Sequence, residues 1–296
     1  MQPIVCRMVR CAAGLVGTCV WIFGLCNFSG AQVSELHLDA VARPPRAPVT
    51  KLRRAAGSGD ATALFELGLA YETGAGVRQD YAQAAHWFQV AANRGNLDAQ
   101  NQLGTLCALG RGVPQDARKA VMWFRRAASS GHPVALYNLG SMYLHGSGVH
   151  EDYQEALHWY ERAADQKYAL ANVALGFMYS QGLSCKPDPE KAAELYRRAA
   201  EKGIATAEFN LAVLYYSGLG VPRDYSQGLM WMRKAADQGL TEAQNDLGRI
   251  YAAGMGVEKD QAEAERWFAM AGTQEQTKKD PDEISRLSTN DARGGP

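Results

Sequence analysis

The segment Gly131–Gln166 matches itself when it is slid by 36 residues in either direction. Copies begin at Gly59, Gly95, Gly131, Lys167, Gly203 and Gly239 with no insertion between them, and a half-copy running to Ser58 precedes the first in register. A fixed period of this length marks a stacked array, in which each unit buries its apolar face only against its neighbours. That restricts the chain more than its length does, because an array grows by addition and needs no single central core. Residues 59–274 therefore read as six units and residues 51–58 as a partial unit capping the open end.

Within a unit, position 5 is always Ala (Ala63 to Ala243), position 9 always Leu (Leu67 to Leu247), and position 13 is Tyr except at Cys107. That spacing is one stripe of a helix. Position 10 is Gly in five units and Ala212 in the other. A glycine inside a helix costs about 1 kcal/mol relative to alanine, so its recurrence predicts a close approach by the partner helix. The invariant Gly at position 16 suits the left-handed residue that ends a helix. The invariant Asp at position 22 (Asp80, Asp116, Asp152, Asp188, Asp224, Asp260) suits the N-cap of a second helix. In that helix Ala at 26, an aromatic or Met at 30 and Ala at 33 share a face predicted to pack on the first helix of the same unit. The Trp at position 29 (Leu195 once) is expected to face the next unit. The fold expected is all-α, a right-handed α/α superhelical solenoid of six 36-residue helix-loop-helix repeats.

The ends read differently. Arg7 and Arg10, the uncharged apolar run Cys11–Phe28 and the small residues Ser29-Gly30-Ala31 give residues 1–31 the layout of a secretory signal, with an uncleaved anchor as the alternative. Either way the array is expected outside the cytoplasm, periplasmic or secreted, and in contact with a membrane only if that segment is retained. Residues 32–50, with Pro44, Pro45 and Pro48, read as an extended linker, and residues 275–296 as a polar, flexible tail.

Charge excludes one class of partner. The chain has 31 basic and 31 acidic residues, and losing Arg7 and Arg10 with the N-terminal segment leaves 29 against 31. A nucleic-acid binder needs a basic face, and this balance argues against one. Cys107 and Cys185 lie two units apart at different unit positions, out of disulfide reach, and are expected to be buried or half-buried thiols. His86 and His158 are two units apart, His145 and His150 flank one loop, and no metal set or cofactor is expected. No Ser-x-x-Lys, Gly-x-Ser-x-Gly or His-Glu-x-x-His motif occurs, and the Gly-x-Gly loops follow no strand. No catalytic constellation is expected.

The pattern read from Ala135 to Ala164, A…NLG…MY..G.GV..D…A..WY..AA, resembles the Sel-one-like repeat (SLR) family, relatives of the tetratricopeptide repeats. The resemblance implies a superhelix that mediates protein–protein contacts. Exported members act in envelope and exopolysaccharide assembly, in regulation of sensor kinases and on host cells. A cysteine-rich branch is penicillin-binding with weak β-lactamase activity, but it carries a Cys pair in each repeat where this chain keeps Ala-Ala. Alignment with the tetratricopeptide unit puts positions 4, 7, 8, 11 and 15 on the concave face. The candidate protein- or peptide-binding residues are then Phe65, Asn101, Tyr137, Phe209 and Asn245 at position 7, Asn138 and Asn210 at position 8, and Phe177 and Arg249 at position 11.

Overall fold

The computed structural model describes residues 43–278, so the expectations for residues 1–42 and 279–296 lie outside the described residues. Thirteen helices and no strand occur among them. Helix α1 (Val49–Gly57) is followed by six hairpins: α2 (Ala61–Thr73) with α3 (Tyr81–Asn93), α4 (Leu97–Leu109) with α5 (Ala117–Ser129), and α6 (Pro133–Leu144) with α7 (Tyr153–Asp165). Then come α8 (Ala169–Gln181) with α9 (Pro189–Ala200), α10 (Ala205–Ser217) with α11 (Tyr225–Asp237), and α12 (Thr241–Ala253) with α13 (Gln261–Lys278). Each helix packs on the one before it and the one after it, and most closely within its hairpin. The last helix runs past residue 274 to Lys278, so the chain stays helical where the tail was expected to begin.

Local chemistry closes each hairpin in the same way. The glycine at position 16 has positive φ in all six units, from 62° at Gly146 to 74° at Gly74 and Gly254. The Asp at position 22 then acts twice. Its side chain accepts from amides in the first turn of the second helix, as Asp152 does from Gln154 and Glu155 at 3.0 and 3.1 Å. Its own N–H donates back to the carbonyl of residue 13, from Asp116 to Cys107 at 2.8 Å and from Asp152 to Tyr143 at 3.0 Å.

The position-10 glycines are occupied from above by a ring. A Cβ on Gly68 would lie 2.5 Å from the Phe88 ring, and one on Gly140 would lie 2.8 Å from that of Tyr160. The ring at position 30 thus rests on bare backbone of its own first helix, as the spacing predicts. The fifth unit inverts the arrangement. Ala212 faces the slimmer Met232, while Gly228 stands where other units carry Ala and receives the ring of Tyr216 at 2.6 Å from a built Cβ.

Two further devices join unit to unit. The second loop glycine lies against the start of the preceding second helix: a Cβ on Gly220 would stand 2.1 Å from the Pro189 carbonyl oxygen, and one on Gly148 2.3 Å from that of Ala117. A cation at position 31 of one unit also donates to the Tyr hydroxyl at position 13 of the next: Arg125 to Tyr143 at 2.8 Å, Arg197 to Tyr215 at 3.2 Å, and Arg233 to Tyr251. Arg53 of α1 does the same for Tyr71 at 3.0 Å. Where the donor position holds Glu161, Lys191 of the fourth unit binds Tyr179 instead, at 2.6 Å.

The tryptophans correct one expectation. No described unit follows α13, yet Trp267 is 6% exposed, whereas Phe268 beside it is 39% exposed although Phe88 and Phe124 at the same unit position are fully buried. Position 29 is therefore covered from within its own unit and the one before, and position 30 needs the unit that follows. A second correction concerns the thiols. Cys107 is buried, and burial pushes its thiol up, but Cys185 is exposed because the loop of the fourth unit carries it outward.

Candidate functional site

The first helices of successive units lie side by side, linked by side chains at the positions assigned to the binding face. Asn138 donates to Asn101 of the unit before at 2.9 Å, and Gln102 donates to Glu72 of the unit before at 3.0 Å. His132 accepts the Ala135 N–H on Nδ1, which leaves its ring proton on Nε2 to donate to Asp98 at 3.1 Å. The second helices form the other layer, joined for example by Arg162 donating to the Ala128 carbonyl. The array thus has a face made of first helices only, and that is where the candidate residues belong.

Their exposure divides them. Phe65 is 1% exposed, and Asn101 and Asn138 are fully buried, so these three are interior residues and not contact residues. Asn101 and Asn138 satisfy each other across a seam, and Phe65, which lies against Phe88 with ring centroids 5.6 Å apart, is also covered by the Arg43 guanidinium 5.8 Å from its centroid. Tyr137 is half-buried, packed against Tyr160 and Tyr168 at 5.4 Å each. Phe177, Phe209, Asn210 and Asn245 are half-buried and Arg249 is exposed. Among the described residues the side chains of Asn210 and Asn245 make no hydrogen bond.

The same face holds carboxylates that the sequence pattern did not single out. Glu66, 4% exposed, accepts from the Arg43 guanidinium and from the Arg46 backbone N–H, each at 2.8 Å. Burial alone would raise this carboxyl, but those two bonds and the two positive charges outweigh it and hold it below its ordinary range. Asp98 is likewise lowered, chiefly by the bond from His132, with smaller help from Arg43 and Arg46. Glu72, Glu208 and Asp246 behave oppositely: burial raises each, and the bonds from Gln102, Gln238 and Arg249 only partly offset it. An acid at position 8 where other units carry amides or Ala is the one sequence signal that could have marked Glu66 and Asp246.

The polar groups of this face are therefore used unevenly. In the first three units they are tied to one another or to residues 43–46. In the last three, Asp246 takes the Arg249 guanidinium, while half-buried rings stand beside the Asn210 and Asn245 amides, which make no hydrogen bond among the described residues. Rings supply contact area and amides exchange hydrogen bonds with a main chain, the combination that recognises an extended segment. No group of three or more His, Cys, Asp or Glu side chains that could hold a metal occurs among the described residues. No described helix is long and apolar enough to cross a membrane.

Comparison with known proteins fits this architecture. A family model described as Sel1 repeat matches six times, at residues 61–96, 97–132, 133–168, 169–204, 205–240 and 241–275. No curated protein matches. Among solved structures, the chain is similar to a protective antigen of uropathogenic Escherichia coli strains that displays an SLR fold, with 38% identity and a TM-score of 0.68 over 75% of this chain and 48% of the antigen. The chain thus spans about half the length of that antigen. It is also similar to a Sel1 repeat protein from Oxalobacter formigenes, with 33% identity and a TM-score of 0.71 over 75% of this chain and 89% of the other. An immunity protein from Pseudomonas aeruginosa shares the fold at 18% identity and a TM-score of 0.51, over 72% of this chain and 80% of its own. With the family model matched over more than half of its length, the chain belongs to the Sel1 repeat family, whose members generally serve as protein-interaction scaffolds.

Proposed function

We propose that the protein is an exported, non-catalytic scaffold that holds an extended segment of a partner protein along its first-helix face, in the last three units. The observation that carries this reading is the pairing of Phe177 and Phe209 with the unpartnered side-chain amides of Asn210 and Asn245. A half-buried amide left to water loses little, and gains on exchange with a strand that presents alternating N–H and C=O groups. Export rests on the layout of residues 1–31, with its two arginines, its apolar run and its small residues before Gln32.

A photo-crosslinking amino acid placed at Phe209 in intact cells, with a control at the exposed Met122 of α5 in the other layer, tests the site. Covalent adducts should form from position 209 and be lost when Asn210 and Asn245 are also replaced by alanine. Equal adducts from both positions would sink the reading. N-terminal sequencing of the protein from fractionated cells tests export: a chain beginning at Gln32 outside the cytoplasm supports it, and an intact chain in the cytoplasm overturns it.

A further inference from the structure

The segment Arg43-Pro44-Pro45-Arg46-Ala47-Pro48 is not a free spacer. It lies on the first-helix face, bends at Arg46 and Ala47, and enters α1 through Pro48 at φ −57° and ψ 142°. Arg43 and Arg46 flank the two prolines. Both reach one carboxylate: the Arg43 guanidinium takes one oxygen of Glu66 and the Arg46 N–H takes the other. The two intervening prolines have no N–H to leave unsatisfied. The Arg43 guanidinium also lies 5.8 Å from the centroid of the Phe65 ring, and Ala47 packs against the core. Asp98, in the next unit, feels both arginines. The grip is narrow all the same, since the Arg46 side chain stays 79% exposed.

We propose that the first-helix face at the first two units is a receptor site for an extended, arginine-bearing, proline-rich peptide segment, that residues 43–48 occupy it in cis, and that a partner segment of the same chemistry enters by displacing them. Three features define the ligand. It carries a guanidinium for Glu66 and Phe65, a backbone N–H three residues later for the second Glu66 oxygen, and residues between them that need no hydrogen-bond partner. Charge favours it, because Glu66 is a buried acid whose balancing arginines come from the strap, and Asp98, bonded chiefly to His132, adds a second acid that feels them. The site is distinct from that proposed for the last three units, and the two can fail independently.

The probe is a labelled peptide of residues 41–48, followed by fluorescence anisotropy against full-length chains. A tethered strap competes at an effective concentration in the millimolar range, so the wild-type chain should bind the free peptide weakly. Opening the site with Arg43→Ala and Arg46→Pro, which removes the guanidinium and the N–H, should tighten binding by about tenfold or more. Adding Glu66→Gln to the opened chain should abolish that gain, and a peptide with Ala in place of its first Arg should not bind. Phe209→Ala/Asn210→Ala should leave all of this unchanged. The proposal is overturned if the opened chain binds no more tightly than wild type, or if the Ala peptide binds equally well. Should the opened chain fail to fold, hydrogen exchange on the wild-type chain decides: excess peptide must accelerate exchange across residues 43–48, and an unchanged rate overturns the proposal.

Discussion

Adding one methyl group at the crossing point of a hairpin tests how the units are packed. Gly140→Ala places a Cβ 2.8 Å from Cδ1 and 2.9 Å from Cε1 of Tyr160, a ring that is 2% exposed and has little room to move. At a mid-helix site with free space, the same change would stabilise by about 1 kcal/mol through helix propensity. Overpacking a filled interior costs about 1–3 kcal/mol, more when a buried ring must leave its rotamer. The clash should win, for a net loss of about 1–2 kcal/mol and a fall in Tm of roughly 3–6 °C in an array of this size. The fifth unit supplies the internal control, since it pairs Ala212 with Met232. Tyr160→Met alone opens a void and should cost about 2 kcal/mol. Combined with Gly140→Ala, the new methyl fills part of that void, so the double variant should be more stable than the sum of the singles by about 1 kcal/mol. Thermal and urea unfolding followed by circular dichroism read all four chains. A rise in Tm for Gly140→Ala, or strict additivity in the double variant, would refute the packing account.

Two further predictions concern charge and seams. Glu72 has a folded pKa raised above its ordinary value, so its proton stabilises the fold, and that contribution is lost as pH rises through the raised value. Glu72→Gln should therefore raise Tm at pH 7, and the gain should disappear as pH falls below its ordinary value of 4.5. Glu66 is lowered, so it stabilises above its unfolded pKa and the contribution is lost as pH falls through the lower folded value; Glu66→Gln should reduce Tm at pH 7 and make little difference in strong acid. Melting curves from pH 3 to 8 check both signs. For the seams, a double-mutant cycle of Arg125→Met and Tyr143→Phe should give a coupling of about 0.5–1 kcal/mol. Zero coupling would mean that the cation–hydroxyl ladder does not fasten neighbouring units.

The period, the caps and the hairpin packing were legible because their chemistry is local. An Asp accepting from amides two and three residues on, or a glycine at a helix end, acts within one turn of its own position. The binding face was less legible because exposure depends on what lies alongside. Phe65, Tyr137 and Phe209 hold the same unit position, yet the first is sealed and the other two are only half-covered. The partner that seals the first unit sits 20 to 23 residues upstream of Glu66, in a proline-rich run whose composition says only that it is extended. The tryptophans were placed against the wrong neighbour because both sides of a second helix look alike in a repeat. The sixth unit, which no described unit follows, tells the two sides apart.

Two joints lack the cation–hydroxyl pair of the others: the first has Gln89 and Cys107 at those positions, and the third is built from different parts. Between the third and fourth units, Glu161 stands where the cation donor is expected, and Leu195 replaces the tryptophan. Ser184, at φ 71°, carries a Cβ where the other five loops have glycine, and its carbonyl accepts from the Gln154 side-chain amide at 2.7 Å. This seam is fastened by its own residues, Lys191 to Tyr179 within the fourth unit and Gln154 to the Ser184 carbonyl across it, so a substitution at either alters this joint and leaves the ladder elsewhere intact.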